Sequence, residues 1–287
     1  MVVGHGLEGN ARMGMVLPEL RYRAVFCLLI ALTCSAVPVS AGSVQKVPFT
    51  LRSKALTLTV YRPDAAVKGT VGTVIMGSGD AGWVGLAVKT SEFLASQGYL
   101  VVGLNVREYL STFTEGPQHV SPEDVRADYL ALSGFLRTQS LLRRPVLLSG
   151  VSEGAALAIV AAGDARNRSW VDGVIAMGVP ATAELAWRWY DVAALITRSD
   201  ANEPSFSPAD YVGAVSPTPL VMIQSATDEY ITGDGRARLV AASKPPRKMV
   251  MIGAGNHRFT DKLPELRQEF LSAIAWIAGS APAGAGR

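Results

Sequence analysis

Residues 145–162, Pro-Val-Leu-Leu-Ser-Gly-Val-Ser-Glu-Gly-Ala-Ala-Leu-Ala-Ile-Val-Ala-Ala, constrain this chain more than any other stretch. A short apolar run ends in Gly150-Val151-Ser152-Glu153-Gly154, and an alanine-rich run of helical length follows. The pattern predicts a buried strand, a tight turn and a helix, with Ser152 at the corner. Such a corner holds a serine in a sparsely allowed backbone conformation and pushes its Oγ clear of the sheet. Gly150 and Gly154 suit the points where strand and helix backbones come closest, and Ala155 and Ala156 keep the crossing small. At a helix N-terminus, free N–H groups and the helix dipole favour a developing oxyanion. An inert serine between a buried strand and a helix looks the same, so chemistry at Ser152 requires partners elsewhere in the chain.

The surrounding pattern predicts where those partners lie. Residues 54–62 alternate and are rich in β-formers, which predicts an early antiparallel edge strand. Buried strands are expected at 70–76, 99–104 and 172–177, and two more at 218–224 and 248–252. Helices are expected at 83–96 and from Pro122 to about Thr138, the latter with Ser121 as N-cap and Glu123-Asp124 in its first turn. Two further helices are expected at 235–243 and 264–278. Strands alternating with helices imply an α/β fold, a mainly parallel sheet covered on both faces. The pattern lapses over 180–216, which holds Trp187, Trp189 and Tyr190; a small irregular cap or a peripheral helix would account for it.

The N-terminus reads as a segment outside the fold. Arg21 and Arg23 precede the apolar run 24–32, followed by small residues and Val39-Ser40-Ala41. That is the layout of a secretory signal peptide cut after Ala41, and the run is short for a membrane span. Met13 or Met15 could be the true initiator, and Leu32-Thr33 is a poor lipoprotein box before Cys34. The expected organisation is therefore a signal peptide over 1–41, one domain over 42–279 and a disordered Ala/Gly/Pro tail over 280–287. Both cysteines, Cys27 and Cys34, fall in the first segment, leaving a mature chain with no thiol for a disulfide, metal or redox site. A formal charge of +3 without a Lys/Arg-rich block argues against a nucleic-acid partner.

A serine nucleophile needs a base, and the base needs an orienting acid. In an open parallel sheet such residues gather at the carboxyl ends of strands. His257 lies in Gly253-Ala254-Gly255-Asn256-His257, directly after the last expected strand, whereas His119 lies in a polar loop with no strand immediately before it. Asp228 follows the penultimate strand in Ser225-Ala226-Thr227-Asp228-Glu229-Tyr230, with Glu229 and Asp234 as alternates. The order Ser152, Asp228, His257 is that of the α/β-hydrolase fold. The chain resembles that superfamily across about 47–279. The resemblance implies an oxyanion hole formed by the N–H after the nucleophile, on Glu153, and a second on Asp80, in the loop Gly77-Ser78-Gly79-Asp80-Ala81-Gly82-Trp83.

That loop also matches the dinucleotide fingerprint G-x-G-x-x-G, but the acid expected after the next strand is missing, with Asn105, Val106 and Arg107 in its place. Ser78-Gly79-Asp80-Ala81-Gly82-Trp83 is similar to the Ser-Gly-Asp-Gly-Gly-Trp loop of the bacterial virulence-associated VirJ/AcvB family. Arg107-x-Tyr109 and the helix opening Ser121-Pro122-Glu123 are similar too. This resemblance implies an exported, periplasmic α/β-hydrolase domain, with members that hydrolyse aminoacyl esters of phosphatidylglycerol. It also implies substrate-binding roles for Trp83, Arg107 and Tyr109. The elbow departs from the family pattern, which has Tyr and Phe around the serine where Val151 and Glu153 stand here.

Two acids beside a nucleophile need explaining, since a carboxylate near a developing oxyanion is unfavourable unless it is paired or turned away. Asp80 could cap the following helix and Glu153 complement the dipole of its own. Alternatively, either could bind a cationic group such as an aminoacyl ammonium, with Arg107 as partner or phosphate ligand. The resulting expectation is an exported serine hydrolase acting on carboxylic esters of a small molecule or lipid, with contact to a membrane surface if the ester is a lipid. It needs no metal or organic cofactor. Its rivals are a serine peptidase of the same fold and a non-catalytic binding or chaperone-like module.

Overall fold

The expected strands assemble into one sheet whose register carries the elbow to its centre. The computed structural model describes residues 42–63, 69–188 and 203–280, all within one unit, Val39–Arg287. In chain order the strands are β1 (Val44–Leu51), β2 (Lys54–Tyr61), β3 (Gly72–Gly77), β4 (Tyr99–Leu104), β5 (Val146–Val151), β6 (Gly173–Met177), β7 (Ala183–Glu184), β8 (Ser205–Phe206), β9 (Leu220–Ser225) and β10 (Arg247–Ile252). Among the described residues they form an eight-stranded sheet in the order β1-β2-β4-β3-β5-β6-β9-β10, plus a separate β7-β8 pair. The β1-β2 and β2-β4 pairs are antiparallel, and every pair from β4 to β10 is parallel. Strands β3 to β6 and β9 are buried along their whole length, as parallel strands covered on both faces must be.

Helices α1 (Leu86–Ser96), α2 (Val106–Thr112), α3 (Pro122–Thr138), α4 (Glu153–Ala162), α5 (Ala165–Arg168), α6 (Gly233–Ala242) and α7 (Leu263–Ser280) connect and cover these strands. The core divides in two across the sheet. Ile75 joins α2, α3 and α4 in one cluster, while its neighbours Val74 and Met76 join α1 and α7 in the other. Period-two alternation along β3 thus feeds both layers. Helix α4 is buried at every position, which its Ala-rich composition permits because small side chains allow close packing against β3, β5 and β6.

Three local expectations are corrected. The strand over 54–61 is not the edge, because β1 pairs outside it through a two-residue turn at Arg52 (φ 47°) and Ser53 (φ 63°). Pro48 within β1 is tolerated because β1 lies at the edge of the sheet. The first helix begins at Leu86 rather than Trp83, since Gly82 (φ 87°) and Gly85 (φ 59°) hold the intervening chain out of helical conformation. A short helix not foreseen, α2, starts after Asn105, whose Oδ1 accepts from Glu108 N–H at 3.3 Å. By contrast, α3 keeps the expected start and end, with Ser121 and Asp124 forming a reciprocal capping box. The expected cap lies partly outside the described residues, as do Trp189 and Tyr190. Its described parts form the β7-β8 pair, with Ala183, Leu185, Trp187 and Phe206 buried against the core.

Candidate active site

At the end of β5 the backbone turns sharply, and Ser152 takes φ 55° and ψ −119° as the N-cap of α4. A non-glycine residue here is strained, and the surrounding packing enforces it. A Cβ on Gly150 would lie 2.1 Å from the Gly154 carbonyl carbon, and one on Gly154 would lie 2.5 Å from that of Gly77. Only glycine at these positions lets β3, β5 and the start of α4 meet. Ser152 N–H donates to Met177 O at 3.0 Å, tying the corner to β6.

The loops after β9 and β10 bring Asp228 and His257 together. Asp228 Oδ2 lies 2.8 Å from His257 Nδ1, with the Asp228 side chain wholly buried and that of His257 5% exposed. Tyr230 N–H donates to the other oxygen, Asp228 Oδ1, at 2.9 Å. The sequence reading passed over several supporting contacts. Glu229, one of the alternate acids, accepts the His257 backbone N–H on Oε2 at 3.0 Å. The Tyr230 ring meets the imidazole edge-on, with centroids 4.7 Å apart. Gly178 (φ 57°) leaves room for the ring, since a Cβ there would lie 2.8 Å from His257 Cε1. Ser225 Oγ donates to Ala254 O at 2.9 Å and holds the two loops side by side. The remaining alternate, Asp234, lies in the first turn of α6.

Burial works to lower the pKa of His257. The hydrogen bond and charge of Asp228, followed by the charges of Glu153 and Glu229, outweigh it and raise the value above 6.5. His257 Nε2, the nitrogen that would face a nucleophile, is buried with no hydrogen-bond partner among the described residues. The other histidine among the described residues, His119, sits in an exposed loop with Nδ1 3.3 Å from Pro117 O.

The loop after β3 approaches the elbow from the other side. Ser78 Oγ accepts from Val106 N–H at 3.0 Å and donates to Gly79 O, fixing the loop against the start of α2. Asp80 does not cap α1: its Oδ1 accepts Ala81 N–H at 2.8 Å, and the helix begins beyond Gly85. Asp80 N–H, the expected second oxyanion donor, is engaged. It donates at 3.1 Å to Oε2 of Glu153. The buried Glu153 carboxyl is pushed to a higher pKa, first by burial and then by the charge of Asp80. The hydrogen bond from Asp80 N–H offsets part of that.

The fingerprint glycines serve packing and turn geometry. Gly77 faces the backbone of Gly154, Gly82 supplies a positive φ, and the next helix starts four residues later. A dinucleotide cradle needs the helix N-terminus directly over the glycine turn.

The three residues singled out for substrate binding separate. Trp83 and Arg107 line a cavity of about 500 Å³ with Ala81, Gly82, Asn105 and Trp187, on the same loop as Asp80. Trp83 Nε1 donates to Tyr61 Oη at 3.0 Å, and Arg107 Cζ stands 4.1 Å from the centre of the Trp187 ring. Tyr109 is not in this cavity. On the opposite face of α2 it is 1% exposed, and its hydroxyl donates to Asp128 Oδ2 at 2.6 Å. Two positions along a helix turn a side chain by about 200°, so Arg107 and Tyr109 cannot share a face.

A family model described as bacterial virulence protein (VirJ) matches residues 72–275. No curated protein sequence matches the chain. Several solved structures share its architecture. One is the esterase domain of a Rhodothermus marinus protein, 22% identical with TM-score 0.54 over 82% of this chain and 97% of that one. Another is an α/β serine hydrolase without a lid from Xanthomonas campestris, at 17% identity, TM-score 0.55 and coverages of 82% and 94%. A third is a dienelactone hydrolase from Anabaena variabilis, at 16% identity, TM-score 0.56 and coverages of 82% and 97%. The likeness shows the α/β-hydrolase fold.

Proposed function

From the premise that the chain belongs to the VirJ family of bacterial virulence proteins, we propose that it is a serine hydrolase cleaving carboxylic esters. The observation that carries this reading is the 2.8 Å pairing of His257 Nδ1 with a fully buried Asp228, at strand ends beside a serine held at φ 55°. An inert serine would not require the strain, and a structural histidine would not require a buried carboxylate on Nδ1 with Nε2 left unpaired.

In the reaction, Ser152 Oγ attacks the ester carbonyl carbon and its proton passes to His257 Nε2. Asp228 fixes the ring and stabilises the imidazolium. The tetrahedral oxyanion takes hydrogen bonds from the N–H groups of Glu153 and Asp80. Collapse breaks the ester C–O bond, and the leaving alkoxide recovers the proton from His257. Water, deprotonated by His257, then attacks the acyl-enzyme and releases the acid and free Ser152.

The substrates we propose are aminoacyl esters of phosphatidylglycerol, acted on after export to the periplasm. The resemblance of the 78–83 loop to its VirJ/AcvB counterpart supports that choice, and Arg107 in the adjoining cavity could hold a phosphate. The leader reading over 1–41 supports export, although it concerns residues outside those described.

The test is labelling of the purified chain by a fluorophosphonate, beside Ser152→Ala and His257→Ala. Wild type is expected to label and both variants to lose labelling by at least about 10³-fold. Absence of Ser152-dependent labelling in folded wild type and in folded Glu153→Ala alike would remove the hydrolase reading. One observation favours a second reading, a non-catalytic binding module: Asp80 N–H, the expected oxyanion donor, is already occupied.

A further inference from the structure

The Glu153 side chain lies against the expected oxyanion donor on Asp80. Both its backbone and its side chain bear on the oxyanion hole. The backbone N–H is one donor of the hole, and Oε2 takes the other, Asp80 N–H, at 3.1 Å. The residue is 8% exposed, so the carboxylate is enclosed by the site rather than lying out in solvent. Its walls are known. A Cβ built on Gly79 would stand 3.4 Å from Ser152 Cβ and 3.7 Å from Glu153 Oε2, so carboxylate and nucleophile flank the same glycine. No Lys or Arg forms an ion pair with Glu153 among the described residues. The charged groups that act on it or feel it are Asp80 and His257, and the first is repulsive.

We propose that the Glu153 carboxylate is a stopper in the oxyanion hole: it occupies the seat of the developing oxyanion, and acyl transfer requires it to swing out. This rests on the serine-hydrolase reading above. Two consequences follow. A carboxylate and an oxyanion cannot both accept from Asp80 N–H, and like charges a few ångströms apart in a buried site repel strongly. The resting site is closed by its own side chain, and its reactivity is set at position 153.

The experiment compares fluorophosphonate labelling rates of the full chain with those of Glu153→Ala, Glu153→Gln and the double variant Ser152→Ala/Glu153→Ala, at one pH. Glu153→Ala keeps the backbone donor and empties the seat. It is expected to label about tenfold faster than wild type or more, a fraction of the ~10²-fold that one oxyanion donor commands. Glu153→Gln keeps the shape and an acceptor oxygen but not the charge, and is expected to fall between. The double variant is expected not to label, tying the gain to Ser152. Thermal unfolding of each variant shows that the comparison is between folded proteins, and Glu153→Gln carries the test if Glu153→Ala does not fold. Labelling of both folded variants at or below the wild-type rate would overturn the stopper and leave the hydrolase reading standing. An absence of Ser152-dependent labelling in every protein would overturn both.

Discussion

The chemistry of a single imidazole sets how this site should respond to pH. Asp228, Glu153 and Glu229 together hold His257 above 6.5 despite its burial. Proton abstraction needs the neutral ring, so the labelling rate should rise with pH through an inflection above that value. Glu153→Ala removes one of the three charges, and its inflection should move to lower pH than in wild type. A pH–rate profile of both proteins measures this, and coincident inflections would show that Glu153 does not act on His257. The sign for stability is opposite. A histidine whose folded pKa is raised stabilises the fold most below its unfolded value, and that contribution is lost as pH rises through the folded pKa. The protein therefore gives up some stability over the range in which its base becomes competent.

The elbow is an element-scale device. Its serine geometry exists because β3, β5 and α4 approach at glycines, and Gly154, Ala155 and Ala156 at the start of α4 are too small to hold them apart. Gly154→Ala would place a methyl 2.5 Å from the carbonyl of Gly77, against backbone that cannot move aside. We expect a loss of at least about 2 kcal/mol, with labelling reduced in whatever folds, because the strain at Ser152 depends on this contact. Urea unfolding beside the labelling rate tests it, and unchanged stability would mean that the helix can shift away from the sheet. Helix α2 works differently. Its seven residues turn Arg107 toward the cavity and Tyr109 into the core.

Across the whole molecule, that division sets a cavity-wall residue against a core residue. Tyr109→Phe removes a buried donor to Asp128, which also pairs with Arg52 at 2.9 Å. We expect a loss of about 1–2 kcal/mol in unfolding free energy with labelling of Ser152 unaltered. Arg107→Ala should instead raise KM for an ester with an anionic leaving group more than for a neutral one. Equal losses on the two esters would take Arg107 out of substrate binding. Both variants lie on one short helix, so the contrast reads the cavity wall against the core behind it. Among the described residues no helix is long and apolar enough to cross a membrane.

The sequence by itself determined the fold class, the elbow and the order of the candidate catalytic groups. These are written in local pattern: apolar runs of strand length, glycines at fixed offsets, and an Asp and a His each directly after a run. Asp228 and His257 could be named because strand ends are legible one strand at a time, and a parallel sheet brings those ends together. The edge strand β1 and the short helix α2 were hidden, because the first carries a proline and the second spans only seven residues. The direction of each side chain was decided by tertiary structure alone. The chain Arg107-Glu108-Tyr109 does not say which residue faces the cavity, since that depends on how α2 lies over the sheet. Nor does Ser152-Glu153 say that the acid folds back onto Asp80 N–H. That contact joins residues 73 positions apart, and it exists only because the close packing of β3 against β5 and α4 brings their loops within hydrogen-bonding distance.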